Sequence, residues 1–249
     1  MRRLVLSVAA MLAFAPSSLA AGSQSSAGFP PLLRLPGTVA SPPRPAPRSS
    51  YRIVSVKPGR DVALRTAPGG PVVDVAGSRT EFGSPRTLAV VAHRGAWLGV
   101  ATSDRGNGAL AWIDEHNASL SEAQTAVALV VHLDRRQLEL RLAGRVVRSF
   151  EVGVGRPDSP TPTGRFAVTD ELPGTGYGPY YGCCILALTA HQTATPAGWR
   201  GGDRLAIHGT DDPATIGAEA SAGCLHASDD DLRSLMRRVP LGAPVFIEH

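Results

Sequence analysis

The chain has 249 residues, 43% of them hydrophobic and 5% aromatic, with a formal net charge of +4 at pH 7. That length suits one or two domains with well-buried cores. The positive charge is spread without a Lys/Arg block, which argues against nucleic acid as a partner, and beyond the first twenty residues no stretch holds the roughly 20 apolar residues of a membrane-spanning helix.

Residues 1–20 begin with Arg2 and Arg3, continue as an apolar run from 4 to 15, and end in the small-x-small pattern Ser18-Leu19-Ala20. This pattern predicts a signal peptide, hence an extracytoplasmic mature protein of the cell envelope with no integral membrane segment after cleavage. The competing reading is an uncleaved membrane anchor, for which the run is short. Residues 21–50 are rich in Pro, Ser, Ala and Gly, including Pro42, Pro43, Pro45 and Pro47, and read as a semi-extended tether.

From 51 to 119, short apolar runs at 53–56, 62–65, 88–92, 97–101 and 110–113 alternate with turn signals, the pattern of a small antiparallel β-domain. Trp97 and Trp112 are expected in its core, since an aromatic in a barrel of this size fills it. From 124 to 249 the strands lengthen, with runs at 126–133, 137–142, 145–154, 164–169, 186–188, 205–208 and 244–247. A helix is predicted over 229–238, because Leu232, Leu235, Met236 and Val239 recur on one face. Asp229, Asp230 and Asp231 open it, complementing the positive end of the helix dipole. The predicted fold class is therefore mainly β, a small barrel followed by a larger β-rich domain with one short C-terminal helix.

Three cysteines occur, at 183, 184 and 224. A bridge between neighbouring residues demands unusual geometry, so Cys183 and Cys184 are expected reduced and packed as small core fillers. Cys224 is the candidate nucleophile. It stands in Ser221-Ala222-Gly223-Cys224-Leu225-His226, sixteen residues beyond His208 in Ile207-His208-Gly209-Thr210. A nearby imidazole can lower a thiol pKa and populate the reactive thiolate, and Gly223 lets backbone N–H groups turn toward a developing oxyanion. One Cys and one His are by themselves equally compatible with a buried apolar thiol. A zinc site of His208, His226 and Cys224 is a further reading, set against the usual carboxylate support of such sites.

Several motifs in order tip this balance. Beside the His-Gly and Ser-x-Gly-Cys segments, the chain carries Gly153-Val154-Gly155, Thr161-Pro162-Thr163-Gly164-Arg165-Phe166, Tyr177-Gly178-Pro179-Tyr180 and the run from Val239 to Val245. Together they resemble the catalytic domain of the L,D-transpeptidases, over residues 124–249. In the first domain, Val62-Ala63-Leu64-Arg65 before Thr66-Ala67-Pro68-Gly69-Gly70, with Gly95-Ala96-Trp97-Leu98 and Ala111-Trp112-Ile113, resembles bacterial SH3-like domains, which bind wall polymers or simply pack beside a catalytic domain.

The transpeptidase resemblance implies acyl transfer on peptidoglycan stem peptides without cofactor or metal, in a family sensitive to carbapenems. Cys224 would form a thioester with the third stem residue and an amine of a neighbouring stem would close a 3→3 crosslink. Attack by water would make the protein an L,D-carboxypeptidase, and loss of activity would leave a peptidoglycan-binding protein. By the same resemblance His208 is the base, Gly209 orients it through its carbonyl, and the N–H groups of Ala222, Gly223 and Cys224 form the oxyanion hole. Ser221 supports the turn, while Tyr177 and Tyr180 belong to a Gly-rich flap. Two positions depart from the pattern: Ala222 replaces a common His, and His226 stands where Arg or Asn is usual, as a shorter substrate-facing contact.

Overall fold

The computed structural model describes residues 50–199 and 201–249. The expected signal peptide and almost all of the tether lie outside these residues. Among the described residues no helix is long and apolar enough to cross a membrane.

The first sheet is antiparallel with seven strands: β1 Tyr51–Val56, β2 Asp61–Arg65, β3 Val72–Gly77, β4 Thr87–Arg94, β5 Trp97–Ala101, β6 Ala111–Asp114 and β7 Leu120–Thr125, in the order β3-β2-β6-β5-β4-β1-β7. Val54, Leu64, Leu98, Val100 and Ile113 are fully buried in its core. Trp112 is buried, whereas Trp97 is only partly so, with the Arg65 guanidinium over its ring. Two strands lack the expected pattern. Edge strand β3 exposes Val72, Val73 and Val75, and β7 runs Leu-Ser-Glu-Ala-Gln-Thr with only its two ends buried. Because β7 pairs along the whole of β1, this sheet continues to Thr125.

The second sheet has eight strands: β8 Val127–His132, β9 Gln137–Leu142, β10 Arg145–Glu151, β12 Gly164–Pro173, β13 Cys184–His191, β14 Arg204–His208, β16 Leu225–His226 and β17 Pro244–Glu248. Their order is β10-β9-β8-β17-β12-β13-β14-β16. Strand β11, Val154–Gly155, pairs separately with β15, Glu219–Ser221. Most pairs are antiparallel, but β17 runs parallel to β8 and β16 parallel to β14. The doubly buried strands β8 and β14 are built on the apolar runs 127–131 and 205–207, as strands covered on both faces are. Helix α1, Asp229–Met236, begins at Ser228, whose side chain accepts from the Asp231 N–H, and buries Leu232 and Leu235 in the larger core.

The two sheets meet through side chains. Thr80 hydrogen-bonds Asp170, Glu81 pairs with Arg204, and Asn107 and His191 exchange hydrogen bonds. Phe82, from a turn of the first sheet, packs with Ile185, Ala206 and Tyr181 beside Cys224. The first sheet thus supplies part of the wall around that cysteine.

One expectation is corrected here. Cys183 and Cys184 are joined by a disulfide rather than reduced. Their neighbourhood shows what holds this corner of the chain: the Cys183 N–H donates to Asp229 Oδ1, and the Cys184 carbonyl accepts from the Gly209 N–H.

Candidate active site

The parallel pairing of β14 with β16 sets Ile207 opposite Leu225 and His208 opposite His226. The loop between them turns through Pro213–Thr215 and β15, so a sixteen-residue excursion returns Cys224 to the side of β14. A parallel pair needs such a connection, which a tight hairpin cannot provide.

His208 is wholly buried. Its Nδ1 lies 2.5 Å from the Gly209 carbonyl oxygen, so Nδ1 carries the proton and donates, leaving the Nε2 lone pair bare. Nε2 has no hydrogen-bond partner. The Gly209 position admits no side chain, because a Cβ there would stand 2.4 Å from Asp229 Oδ1. Burial, and secondly the neighbouring His226, push His208 down to about 3, against the opposing hydrogen bond to Gly209. The ring is therefore neutral at pH 7.

Cys224 is partly exposed and is the free thiol. Burial pushes it up to about 11, with a hydrogen bond to the Ala206 backbone working the other way. This corrects the expectation of a thiol lowered by its imidazole: the desolvation of a charged sulfur outweighs the help available from a neutral ring. At rest the pair is thiol and imidazole, not thiolate and imidazolium.

The turn carrying Cys224 is tied from several sides. Ser221 Oγ donates to the Cys224 carbonyl at 2.6 Å and accepts from the Gly223 N–H at 3.0 Å. Ser159 Oγ and Gln192 Nε2 both lie 2.9 Å from the Ala222 carbonyl, and Thr161 Oγ1 donates to the Gly223 carbonyl at 2.8 Å. Gly223 has φ of +117°, a conformation that side-chain-bearing residues rarely adopt.

His226 is 2% exposed, and its register opposite His208 turns it into the same packed face. Its Nδ1 lies 2.8 Å from Thr215 Oγ1 and its ring centre 4.8 Å from that of His208. Its Nε2 is also unpartnered. Burial lowers its pKa, opposed by Asp211 and Asp212.

Tyr180 and Tyr181 cover this imidazole pair, with ring centres 5.4 and 4.9 Å from His208. Burial, with the Cys224 charge second, pushes the Tyr180 hydroxyl up to about 12. Tyr177 stands further out, 46% exposed, against Phe82 and Tyr181. A pocket beside Cys224 is lined by Tyr180, Tyr181, Gln192, Trp199, Asp203, Arg204 and Ala222. Among the described residues no group of three or more His, Cys, Asp or Glu side chains has an arrangement that would hold a metal ion.

The structure thus brings together Cys224, His208, Gly209, Ser221, Ala222, Gly223, His226 and Tyr180, and leaves Tyr177 at the rim. Ser159, Gln192 and Thr215 also enter the site. Nothing in the sequence marks them, since one polar residue after an apolar strand or within a loop has no period or spacing to single it out.

Residues 126–247 match the family model of the L,D-transpeptidase catalytic domain, YkuD. The chain is 31% identical over 121 residues to YkuD of Bacillus subtilis (strain 168), whose own L,D-transpeptidase designation is provisional. That match covers 48% of this chain and 64% of the relative's length. YqjB of the same organism is 27% identical over 126 residues, covering 48% of this chain and 69% of YqjB. Among solved structures, an Enterococcus faecium L,D-transpeptidase superposes with a TM-score of 0.38 at 22% identity, covering 49% of each chain. A Mycobacterium smegmatis L,D-transpeptidase does so with a TM-score of 0.41 at 16% identity, covering 78% of this chain and 99% of that one. Both scores are too low to define the fold by themselves. The family model and the curated relatives agree on one segment: residues 126–247, about half of the chain, match the L,D-transpeptidase catalytic domain of the YkuD family.

Proposed function

We propose that this protein is an exported peptidoglycan L,D-transpeptidase that forms 3→3 crosslinks through a thioester on Cys224. The observation that carries the reading is the bare, buried Nε2 of His208, its tautomer held by the Gly209 carbonyl, on the strand beside the free thiol.

Both groups start neutral, so the thiol loses its proton as it attacks. His208 Nε2 takes that proton while Sγ bonds to the carbonyl carbon of the third stem residue. The Gly223 N–H is engaged by Ser221 Oγ, which leaves the N–H groups of Ala222 and Cys224 for the oxyanion and removes Gly223 from that role. Collapse of the tetrahedral intermediate breaks the amide bond. The imidazolium returns its proton to the departing D-Ala amine, and a thioester remains. An amine of a second stem then attacks the thioester, loses its proton to His208, and regenerates the thiol.

In this reading the first sheet is an SH3-like module, the leading segment directs export, and no cofactor or metal takes part. The test is intact mass and product analysis after incubating the protein and Cys224→Ala with a tetrapeptide-stem muropeptide. A thioester adduct or crosslinked dimer with the parent chain alone supports the transpeptidase. A tripeptide as sole product assigns an L,D-carboxypeptidase. No Cys224-dependent product leaves a peptidoglycan-binding role.

A further inference from the structure

The carbonyl oxygens of the nucleophile turn are held from behind, and the groups that hold them come from two separate segments. Gln192 follows the end of β13 and is 8% exposed. Its Oε1 accepts from the Ala194 N–H at 3.0 Å, which fixes the amide so that Nε2 points into the turn. There Nε2 lies 2.9 Å from the Ala222 carbonyl oxygen and 3.1 Å from that of Pro160. Its fit is close, since a Cβ on Gly223 would stand 2.0 Å from Nε2.

Thr161 holds the next peptide. Its hydroxyl accepts from the Gly155 N–H at 2.9 Å and donates to the Gly223 carbonyl at 2.8 Å, and the residue is buried. A trans peptide is planar, with C=O and N–H pointing opposite ways. Holding the Gly223 carbonyl therefore aims the Cys224 N–H, and holding the Ala222 carbonyl aims the Gly223 N–H at Ser221 Oγ. A glycine at positive φ has little preference of its own to keep these planes in place.

We infer that Gln192 and Thr161 are positioning residues that clamp the two successive peptide planes of the Ala222–Cys224 turn, so that the Cys224 N–H is aimed as an oxyanion donor before substrate arrives. This rests on the thioester chemistry proposed above. Neither residue need touch substrate: Thr161 acts through the carbonyl of the plane that presents the Cys224 N–H, and Gln192 through the preceding plane, whose N–H is fixed on Ser221 Oγ.

Two reagents separate this role from a general structural one. A carbapenem acylates sulfur through a tetrahedral oxyanion, whereas iodoacetamide alkylates it by displacement and needs only the thiolate. The full chain is compared with Thr161→Val, Gln192→Met and Thr161→Ser, reading both rates at Cys224 by intact mass across pH 6–9. The expected result is acylation slowed by about tenfold to a hundredfold in Thr161→Val and Gln192→Met. Their alkylation rate and its pH profile stay within about twofold of the parent, and Thr161→Ser, which keeps the donor, recovers most of the acylation rate. Unchanged acylation in both variants overturns the inference, and so does an equal fall in acylation and alkylation. If the parent chain is itself not acylated while its thiol alkylates, the thioester reading fails first and takes this inference with it.

Discussion

The resting thiol at Cys224 yields a rate prediction that separates two kinds of cysteine catalyst. With burial pushing the thiol up to about 11, about one molecule in a thousand carries a thiolate at pH 8, against nearly all in a site built on a thiolate–imidazolium pair. The structural cause is the burial of the sulfur, and His208, itself pushed down to about 3 by burial, carries no charge at this pH to offset it. Since Cys183 and Cys184 are joined, iodoacetamide reads Cys224 alone among the described residues. The alkylation rate should climb about tenfold per pH unit from pH 7 to 9.5 without levelling. His208→Asn, which removes the base but not the burial, should change this profile little. A plateau starting below pH 7.5 would refute the reasoning, because it would mean that His208 holds a proton and pairs with the sulfur.

The same burial bears on stability. His208 folds with a pKa below its unfolded value of 6.5, so its contribution is present above that value and lost as pH falls toward 3. Going from pH 7.5 to 5 should cost about 2 kcal/mol through this residue, seen as a drop in the urea midpoint that His208→Asn largely removes; an equal drop in the variant would assign it elsewhere. Gly223→Ala meets both a positive φ and the Gln192 amide, and should lose about 1–3 kcal/mol in thermal unfolding together with acylation. Alkylation of the denatured, unreduced protein should label one cysteine, and three after reduction; three without reduction would exclude the Cys183–Cys184 bond.

Much of the fold was legible where burial is regular. Strands β8 and β14 carry the apolar runs 127–131 and 205–207 because both faces are covered, and α1 shows its helical stripe because one face packs on the sheet. Short or polar strands escaped notice for the complementary reason. Strand β3 exposes its valines at an edge, β7 is buried only at its ends, and β11, β15 and β16 are held by pairing across long sequence separations rather than by their own composition. Of the site, Cys224 and His208 stood out by residue type and motif. Gln192, Ser159 and Thr215 did not, since their importance lies in which carbonyl or imidazole they meet.

The sequence by itself determined the inventory: a mainly β chain, one candidate nucleophile preceded by glycine, one candidate base followed by glycine, and the order in which their motifs run. These are local properties, carried by side-chain chemistry and by the few backbone angles that glycine allows. The tertiary structure decided the charge states, the pairing of the other two cysteines, and the burial of His226 beside His208. The first and last depend on distance and solvent access between residues far apart in the chain, while the two bridged cysteines are neighbours whose corner is tied to the distant Asp229 and Gly209. A pKa or a parallel strand register exists only once desolvation and pairing have been set by the folded whole.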